Sequence, residues 1–249
     1  MSENVLVLGA TSGIAKELCA VLARRECRLV LAARNLAEAQ AMAADLEVRY
    51  RAKVAVQPFD ALDFEGHAAT FAQCLEHCDG HLDGVILCYG YLPKQDLSQN
   101  DFDEARRAID INFTSAVSIL NVAANYFERQ RRGYIAAISS VGGDRGRQSN
   151  YAYGSAKAGL TAYLQGLRNR LHFAGVHVLT IKPGFVDTPM IQGVIRSDSP
   201  LVAKPERVAR DIDRAIRRRQ SVLYTPWFWR PLMAVIRAIP EPLMKRLRL

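Results

Sequence analysis

Three side chains in the run 138–157, ISSVGGDRGRQSNYAYGSAK, have types and spacing that suit proton transfer: Ser140, Tyr153 and Lys157. Tyr-x-x-x-Lys at the start of a helix puts a phenol and an ammonium on one face. A free phenol titrates near ~10, too weak an acid for neutral pH. A fixed positive charge beside it favours the phenolate and lowers that value. Tyr153 can then give a proton to a carbonyl oxygen as hydride arrives at its carbon. Ser140, at the end of a strand, can hydrogen-bond the same oxygen. Tyr151 is a second phenol close by and an alternative acid. The Tyr-x-x-x-Lys spacing alone also suits a packed tyrosine with a solvated lysine. The upstream serine and the glycine-rich N-terminus favour the chemical reading.

The elements that must position these groups alternate strand and helix. NVLVLGA, RLVLAAR, KVAVQPFD, DGVILCYG, GYIAAISS, VHVLTIKPG and SVLYTP read as seven strands. Helices are expected to Arg24, over LAEAQAMAADLEVRY, 63–77, 101–130 with a break near Asn112, 150–173 and 205–219. Such alternation predicts an α/β fold: a single-domain, doubly wound parallel sheet of about seven strands covered on both faces. The domain is expected over 1–225, followed by a basic amphipathic helical tail over 226–249. No linker, repeat or low-complexity segment interrupts it.

The loop GATSGIA lies between the first strand and the first helix and supplies Gly9, Thr11, Ser12, Gly13 and Ile14. Glycine lets the backbone turn tightly and approach a pyrophosphate, and the helix N-terminus favours the anion. A tight turn with no ligand is the plainer reading of the same residues. Arg34 ends the second strand, where dinucleotide folds that take NAD usually place a carboxylate. Its guanidinium can instead pair a 2′-phosphate in bidentate fashion, which favours NADPH and leaves NADH as the alternative. Asp60 and Ala61 follow the third strand, and Asp60 can accept from an adenine amino group or cap its own turn.

Composition narrows the classes further. The 249 residues are 49% hydrophobic, enough for one sizeable core. The five cysteines are odd in number, and Cys74, Cys78, His77 and His81 complete no zinc pattern, so reduced thiols and a cytoplasmic setting are expected and no metal is assigned. No secretory signal or spanning segment is read. The net charge of +8 is segregated: residues 204–249 hold twelve Lys/Arg and four Asp/Glu, while 1–203 balance at 21 each. An anionic partner is therefore expected for the end of the chain. That end lacks a nucleic-acid reading motif, and no nucleic-acid partner is assigned.

With these pieces assembled, the sequence resembles the short-chain dehydrogenase/reductase family over nearly its whole length. The resemblance rests on GATSGIA, Asp60 in FDALD, Asn112 in INFTSAV, Ser140, Tyr153-x-x-x-Lys157, and PGFVDT, which contains Pro183, Gly184, Val186 and Thr188. It implies that Tyr153 donates the proton, Ser140 positions the carbonyl and Lys157 holds the nicotinamide ribose. It further implies that Asn112, in a helix kink, binds a water of the proton relay, and that the Pro-Gly segment contacts the nicotinamide. A homodimer or homotetramer is implied as well. Leu8 and Ala15 stand where the family has Thr and Gly, and Leu87-Cys88-Tyr89-Gly90 replaces its Asn-Asn-Ala-Gly. Cys88, Tyr89 and Gly90 then fall at the cofactor, with Tyr89 bulky beside it.

FDALD, YGSAKAGL, the basic loop GGDRGRQSN and the C-terminal YTPWFWRPLMAVIRAIPEPLMKRLRL also resemble a narrower group of these reductases. Its members reduce a keto-pentose carried on a polyprenyl phosphate, after a flavin oxidase partner has made the ketone. Arg145 and Arg147 in the basic loop are the candidates to pair the substrate phosphate. In the tail, Leu232, Val235, Ile236 and Ile239 lie at helical spacing beside Arg230 and Arg237, after Trp227, Phe228 and Trp229, with Pro240 and Pro242 dividing it. Such a segment suits peripheral contact with an anionic membrane, and suits equally well packing on its own domain or on a second subunit. Three functions follow: an NADPH-dependent reductase of a lipid-linked keto-sugar, a soluble reductase of another ketone, steroid or 3-oxoacyl substrate, and a non-catalytic dinucleotide-binding regulator. The complete Asn-Ser-Tyr-Lys set argues against the last.

Overall fold

The computed structural model of the chain describes residues 2–247. Its strands are β1 Asn4–Leu8, β2 Arg28–Ala33, β3 Val54–Pro58, β4 Gly84–Leu87, β5 Tyr134–Ile138, β6 His177–Pro183, β7 Phe185–Val186, β8 Val202–Ala203 and β9 Val222–Thr225. The helices are α1 Gly13–Arg24, α2 Leu36–Tyr50, α3 His67–Glu76, α4 Gln95–Asn100, α5 Phe102–Ile109, α6 Ser115–Gln130, α7 Tyr151–His172, α8 Pro205–Arg217, α9 Trp229–Ala238 and α10 Glu241–Met244. Seven strands form one parallel sheet in the order β3-β2-β1-β4-β5-β6-β9, and β7 and β8 make a separate two-stranded pair.

The sheet is buried on both faces because its strands alternate apolar residues between two cores. In β1, Val5 and Val7 enter the core that also holds Leu18, Leu22, Val208 and Ile212 of α1 and α8. Leu6 and Leu8 enter the opposite core with Phe71, Ile119, Phe127 and Leu160 of α3, α6 and α7. This is the period-2 strand geometry of a sheet covered by helices on each side. The loops after β1 to β6 gather at the carboxyl edge of the sheet. That edge, on either side of the β1–β4 junction where strand order reverses, is where open α/β sheets bind ligands.

The expected seven-stranded doubly wound sheet is present. The single helix expected over 101–130 is instead α5 and α6 joined by a π-helical turn, Asp110–Thr114, and Asn112 sits at this break as anticipated. The helix expected over 63–77 begins only at His67. β7, β8 and α4 were not visible in the sequence pattern, being two, two and six residues long. The tail forms two short helices parted at Pro240, and Arg248 and Leu249 of the expected 226–249 segment lie outside the described residues. Trp229 and Met233 of α9 are buried against Val141, Phe185 and Tyr224, so one face of the tail packs on its own domain. Among the described residues no helix is long and apolar enough to cross a membrane.

Candidate active site

The cofactor side of the site is built by close backbone approach. Gly9 has φ +77°, and a Cβ there would lie 2.6 Å from Cβ of Tyr89, so the loops after β1 and β4 touch. Only glycine combines that left-handed conformation with that contact. Ser12 precedes α1, makes no side-chain capping bond, and has a buried hydroxyl without a partner. An orphan hydroxyl at a helix N-terminus suits an oxygen of a phosphate group. Next to it lies a cavity of about 270 Å³ lined by Gly9, Thr11, Ser12, Arg34, Asp60, Ala61, Tyr89 and Gly90. The structure thus brings eight sequence-predicted residues to one hollow.

Gly13, Ile14, Cys88, Pro183, Gly184, Val186 and Thr188, also predicted at the cofactor, do not line this hollow. A Cβ at Gly13 would meet Cγ2 of Thr188 at 2.6 Å, so the start of α1 abuts the PGFVDT segment. Ile14 packs on the core under α1, and Cys88 is buried, its thiol pushed up to about 12 by burial. Val186 pairs with Ala203 in the β7–β8 ribbon. Asp60 Oδ1 accepts from the Leu62 amide at 2.9 Å, the turn-capping role, while the residue still faces the cavity. The bulk of Tyr89 is accommodated: its hydroxyl bonds Ser115 Oγ at 2.9 Å and its ring packs 5.5 Å from Phe59. Sequence reasoning missed Tyr91, Arg107, Ile111 and Met190, which also line the hollow. The i, i+4 spacing of Arg107 and Ile111, on the helical stretch that leads through Asn112, was the available signal.

The catalytic side converges on Gly142. A Cβ there would lie 3.2 Å from Ser140 Oγ, 3.4 Å from Tyr153 Cε1 and 3.5 Å from Arg147 Nη2. Ser140 Oγ accepts from the Gly142 amide at 2.9 Å, which fixes the hydroxyl at the end of β5. Gly90 stands opposite: a Cβ there would meet Asn112 Oδ1 at 3.0 Å and Lys157 Nζ at 3.4 Å. Lys157 is buried, with Nζ donating to the Ile138 carbonyl at 2.9 Å and lying 5.8 Å from the Tyr153 ring centroid. The four predicted catalytic residues therefore share one site. Tyr151, the alternative acid, is 46% exposed and lines a separate cleft with Arg145 and Glu241, whereas the Tyr153 ring lies beside Ser140 Oγ.

Electrostatics depart from the sequence expectation. Burial holds the Tyr153 phenol above its ordinary value, against the downward pull of the Ser140 hydroxyl and the Arg147 guanidinium. Lys157 was expected to supply the lowering charge, but its own desolvation pushes the ammonium down to about 7. A lysine at that value carries only part of a charge at neutral pH. Asn112 is committed as well: Nδ2 donates to Tyr91 O at 2.6 Å and Ala108 O at 2.8 Å, and Oδ1 accepts from Tyr91 N at 3.1 Å. Its side chain clamps the loop after β4 onto the π-helical turn, so its amide hydrogens are not free for a relay water.

A larger cavity of about 790 Å³ adjoins, sharing Gly90, Tyr91 and Met190 with the cofactor hollow and walled by Leu92, Pro93, Phe185 and Val194. Arg147 lines it, with a buried Nε that has no partner among the described residues. Arg145, the other candidate for a substrate anion, is turned to the tail instead. Its Nη2 pairs with Glu241 Oε2 at 2.6 Å and donates to the Ile239 carbonyl at 3.3 Å. The carboxylate on α10 takes the charge that was expected to meet substrate.

Comparison with known proteins fits this geometry. Residues 3–198 match the family described as short chain dehydrogenase. An uncharacterized oxidoreductase of Mycobacterium tuberculosis is 35% identical over 244 residues, covering 98% of this chain and 96% of its own. An uncharacterized oxidoreductase of Streptomyces coelicolor is 34% identical over 245 residues, with coverage of 98% and 96%. A short-chain dehydrogenase from Sphingobium yanoikuyae, solved in complex with NADPH, superposes with a TM-score of 0.82 at 24% identity, covering 96% of this chain and 97% of that one. The chain belongs to the short-chain dehydrogenase family. It is an oxidoreductase built on a Rossmann-type domain.

Proposed function

We propose that the protein is an NADPH-dependent ketoreductase in which Tyr153 protonates the carbonyl oxygen and Ser140 holds it. The observation that carries this reading is the convergence of Ser140 Oγ and Tyr153 on Gly142, next to Arg147, which lines the larger cavity. The bound nicotinamide supplies hydride to the carbonyl carbon. Ser12 and Gly9 hold the phosphates at the α1 N-terminus, Arg34 takes the 2′-phosphate, and Lys157 faces the ribose. The NADPH in the Sphingobium neighbour supports the choice of cofactor. Lys157, near neutrality in its titration, can return a proton to Tyr153 after each turnover.

For the substrate, a ketone on a polyprenyl phosphate suits the apolar cavity wall and the unpartnered Arg147 guanidinium. It also agrees with the sequence resemblance to the reductase half of a decaprenylphosphoryl-ribose 2′-epimerase, which works after a flavin oxidase. Such a substrate stays in its bilayer, and the basic, aromatic tail supports approach to an anionic surface. The same apolar wall also favours a second reading, a hydrophobic ketone without phosphate. Purified protein is incubated with NADPH and a panel that includes a polyprenyl-phosphate keto-sugar, its free keto-sugar and hydrophobic ketones, following absorbance of the reduced cofactor. Turnover of the lipid-linked member above all others supports the first reading. Turnover of hydrophobic ketones alone selects the second, and none by any member counts against a ketoreductase.

A further inference from the structure

The surplus positive charge is not a property of the tail alone. Residues 204–225 hold seven Lys/Arg against three Asp/Glu, and 226–249 hold five against one. The fold joins the two sets at the free edge of β9. There a cleft of about 350 Å³ lies between α8, the β9 edge and the start of α9, lined by Arg207, Arg214, Arg218 and Arg230 together with Trp227 and Asp211. Of the four guanidiniums, only that of Arg214 has a carboxylate within ion-pair distance among the described residues, Asp211 at 3.3 Å. Asp211 is further engaged by the Thr225 hydroxyl at 2.9 Å. The cleft is therefore a cationic hollow with one carboxylate, already bonded, and it shares no residue with either cavity of the active site.

Its rim is apolar. Trp227 is 70% exposed and Val235, further along α9, is 66% exposed. The other side of α9 is anchored, with Trp229 and Met233 buried against the domain. A short helix held by one face, with an exposed indole just before it, exposed Leu232 and Val235 along it and arginines beside them, matches the interfacial pattern of an apolar body with cationic flanks. Nucleic acid would use the arginines but has no use for exposed aliphatic residues at the rim, since its protein interfaces are strongly polar.

We propose that this cleft binds the phosphate of an anionic phospholipid headgroup, with Trp227 and the outer side of α9 resting in the interfacial layer beside it. The proposal deepens the surface-docking part of the function above and rests on it. The guanidiniums supply several donors to one phosphate, the geometry for which arginine is better suited than lysine. The docking site would lie on α8 and α9 jointly, and docking would leave the catalytic residues untouched.

The test uses the full chain and vesicles of phosphatidylcholine with or without phosphatidylglycerol, at low and at raised salt. The double variant Arg218→Gln/Arg230→Gln is compared with a charge-matched control far from the cleft, Lys53→Gln/Arg129→Gln. At about 1 kcal/mol per basic residue near an anionic surface, the cleft variant should bind anionic vesicles about 30-fold more weakly. The control should change far less, and both should keep wild-type turnover of a small soluble ketone. Trp227 gives a second readout, because Trp229 is already buried: emission should shift to the blue on anionic vesicles, and Trp227→Phe should abolish the shift. Equal losses in the two double variants would overturn the cleft while leaving diffuse docking intact. No vesicle binding by the wild-type chain would overturn docking and cleft together, without touching the reductase reading. Glycerol 3-phosphate shifting Trp227 emission while vesicles do not would identify a soluble phosphate ester as the ligand. A DNA duplex bound more tightly than vesicles at the same salt, through the same arginines, would overturn the lipid assignment.

Discussion

Asp144 and Lys182 form a buried ion pair that joins the two halves of the catalytic floor. Asp144 closes the turn after Ser140, Lys182 immediately precedes Pro183-Gly184, and their side chains are only 4% and 7% exposed. The Tyr224 hydroxyl donates to the second oxygen of Asp144 at 2.7 Å, and the Lys182 ammonium lies 5.4 Å from the Tyr224 ring centroid. Asp144→Asn leaves a buried ammonium without its counter-charge, which should cost about 3–5 kcal/mol in urea denaturation. Asp144→Leu/Lys182→Met removes both charges and should recover much of that stability. A double variant no more stable than Asp144→Asn would show that the charges do not depend on one another.

Tyr153→Phe should reduce turnover by ~10²–10⁴-fold, the usual worth of general acid catalysis, with NADPH affinity nearly unchanged. The phenol ring lies beside Ser140 Oγ and Arg147 Nη2 at the Gly142 surface. Turnover close to wild type in this variant, measured under saturating NADPH, would remove Tyr153 from the acid role.

Much of this site was legible in the sequence because its parts depend on local pattern. Gly9, Ser140, Tyr153 and Lys157 each sit just past a strand or within the first turns of a helix, where spacing alone determines position. The break at Asn112 was legible in the same way. What escaped depends on distant packing. Arg145 and Arg147 are two residues apart in one basic loop, and nothing local says that Glu241, on a helix of four residues, claims the first. The sequence likewise places charge near the C-terminus without saying that α8 and α9 meet at the edge of β9. The expectation that Lys157 lowers the Tyr153 phenol missed burial, which depends on the ends of β4 and β5 packing Gly90 and the Ile138 carbonyl against the ammonium.

Arg34→Ala should weaken NADPH binding by on the order of 1.5–3 kcal/mol, the scale of a hydrogen bond to a charged group, and leave NADH binding unchanged. Arg34 lines the cofactor hollow and also a neighbouring cavity of about 310 Å³ that shares Asp60 with it, so its guanidinium is placed for a phosphate at the adenosine end. Binding of both nucleotides can be followed by calorimetry. Equal affinity of the unaltered protein for NADH and NADPH would contradict this assignment.

Lys157 carries a stability cost that depends on pH. Its folded value is pushed down to about 7 by burial, against an unfolded value near ~10.4. Between these values the unfolded chain holds the proton more tightly, so stability rises with pH there. The penalty is fully present below about pH 7 and is relieved as pH approaches ~10.4. Lys157→Met should therefore raise the Tm of the ligand-free protein more at about pH 6 than at about pH 9.5, while abolishing most activity. A gain of the same size at both pH values would mean that lysine desolvation is not its source.

Gly184 and Trp229 provide the sharpest test of how the tail is joined to the site. A Cβ at Gly184 would lie 1.9 Å from Trp229 Nε1 and 2.0 Å from Cε2, so the indole occupies the space a side chain would need. The Gly184 amide donates to the Thr225 carbonyl at 3.1 Å, which holds the segment after β6 against β9. Gly184→Ala must move either the indole or the Pro183-Gly184 backbone, at a typical overpacking cost of about 1–3 kcal/mol. A backbone displaced there faces the proposed nicotinamide position, so the KM for NADPH should rise as well. Trp229→Leu opens room for the methyl group but loses apolar contacts with Val141 and Phe185. If the two positions touch, the double variant should be more stable than the sum of the single changes, by about 0.5–3 kcal/mol, and should regain part of the NADPH affinity. The measurements are urea denaturation and initial rates on all four proteins. Strictly additive stabilities would show that α9 does not rest on this glycine.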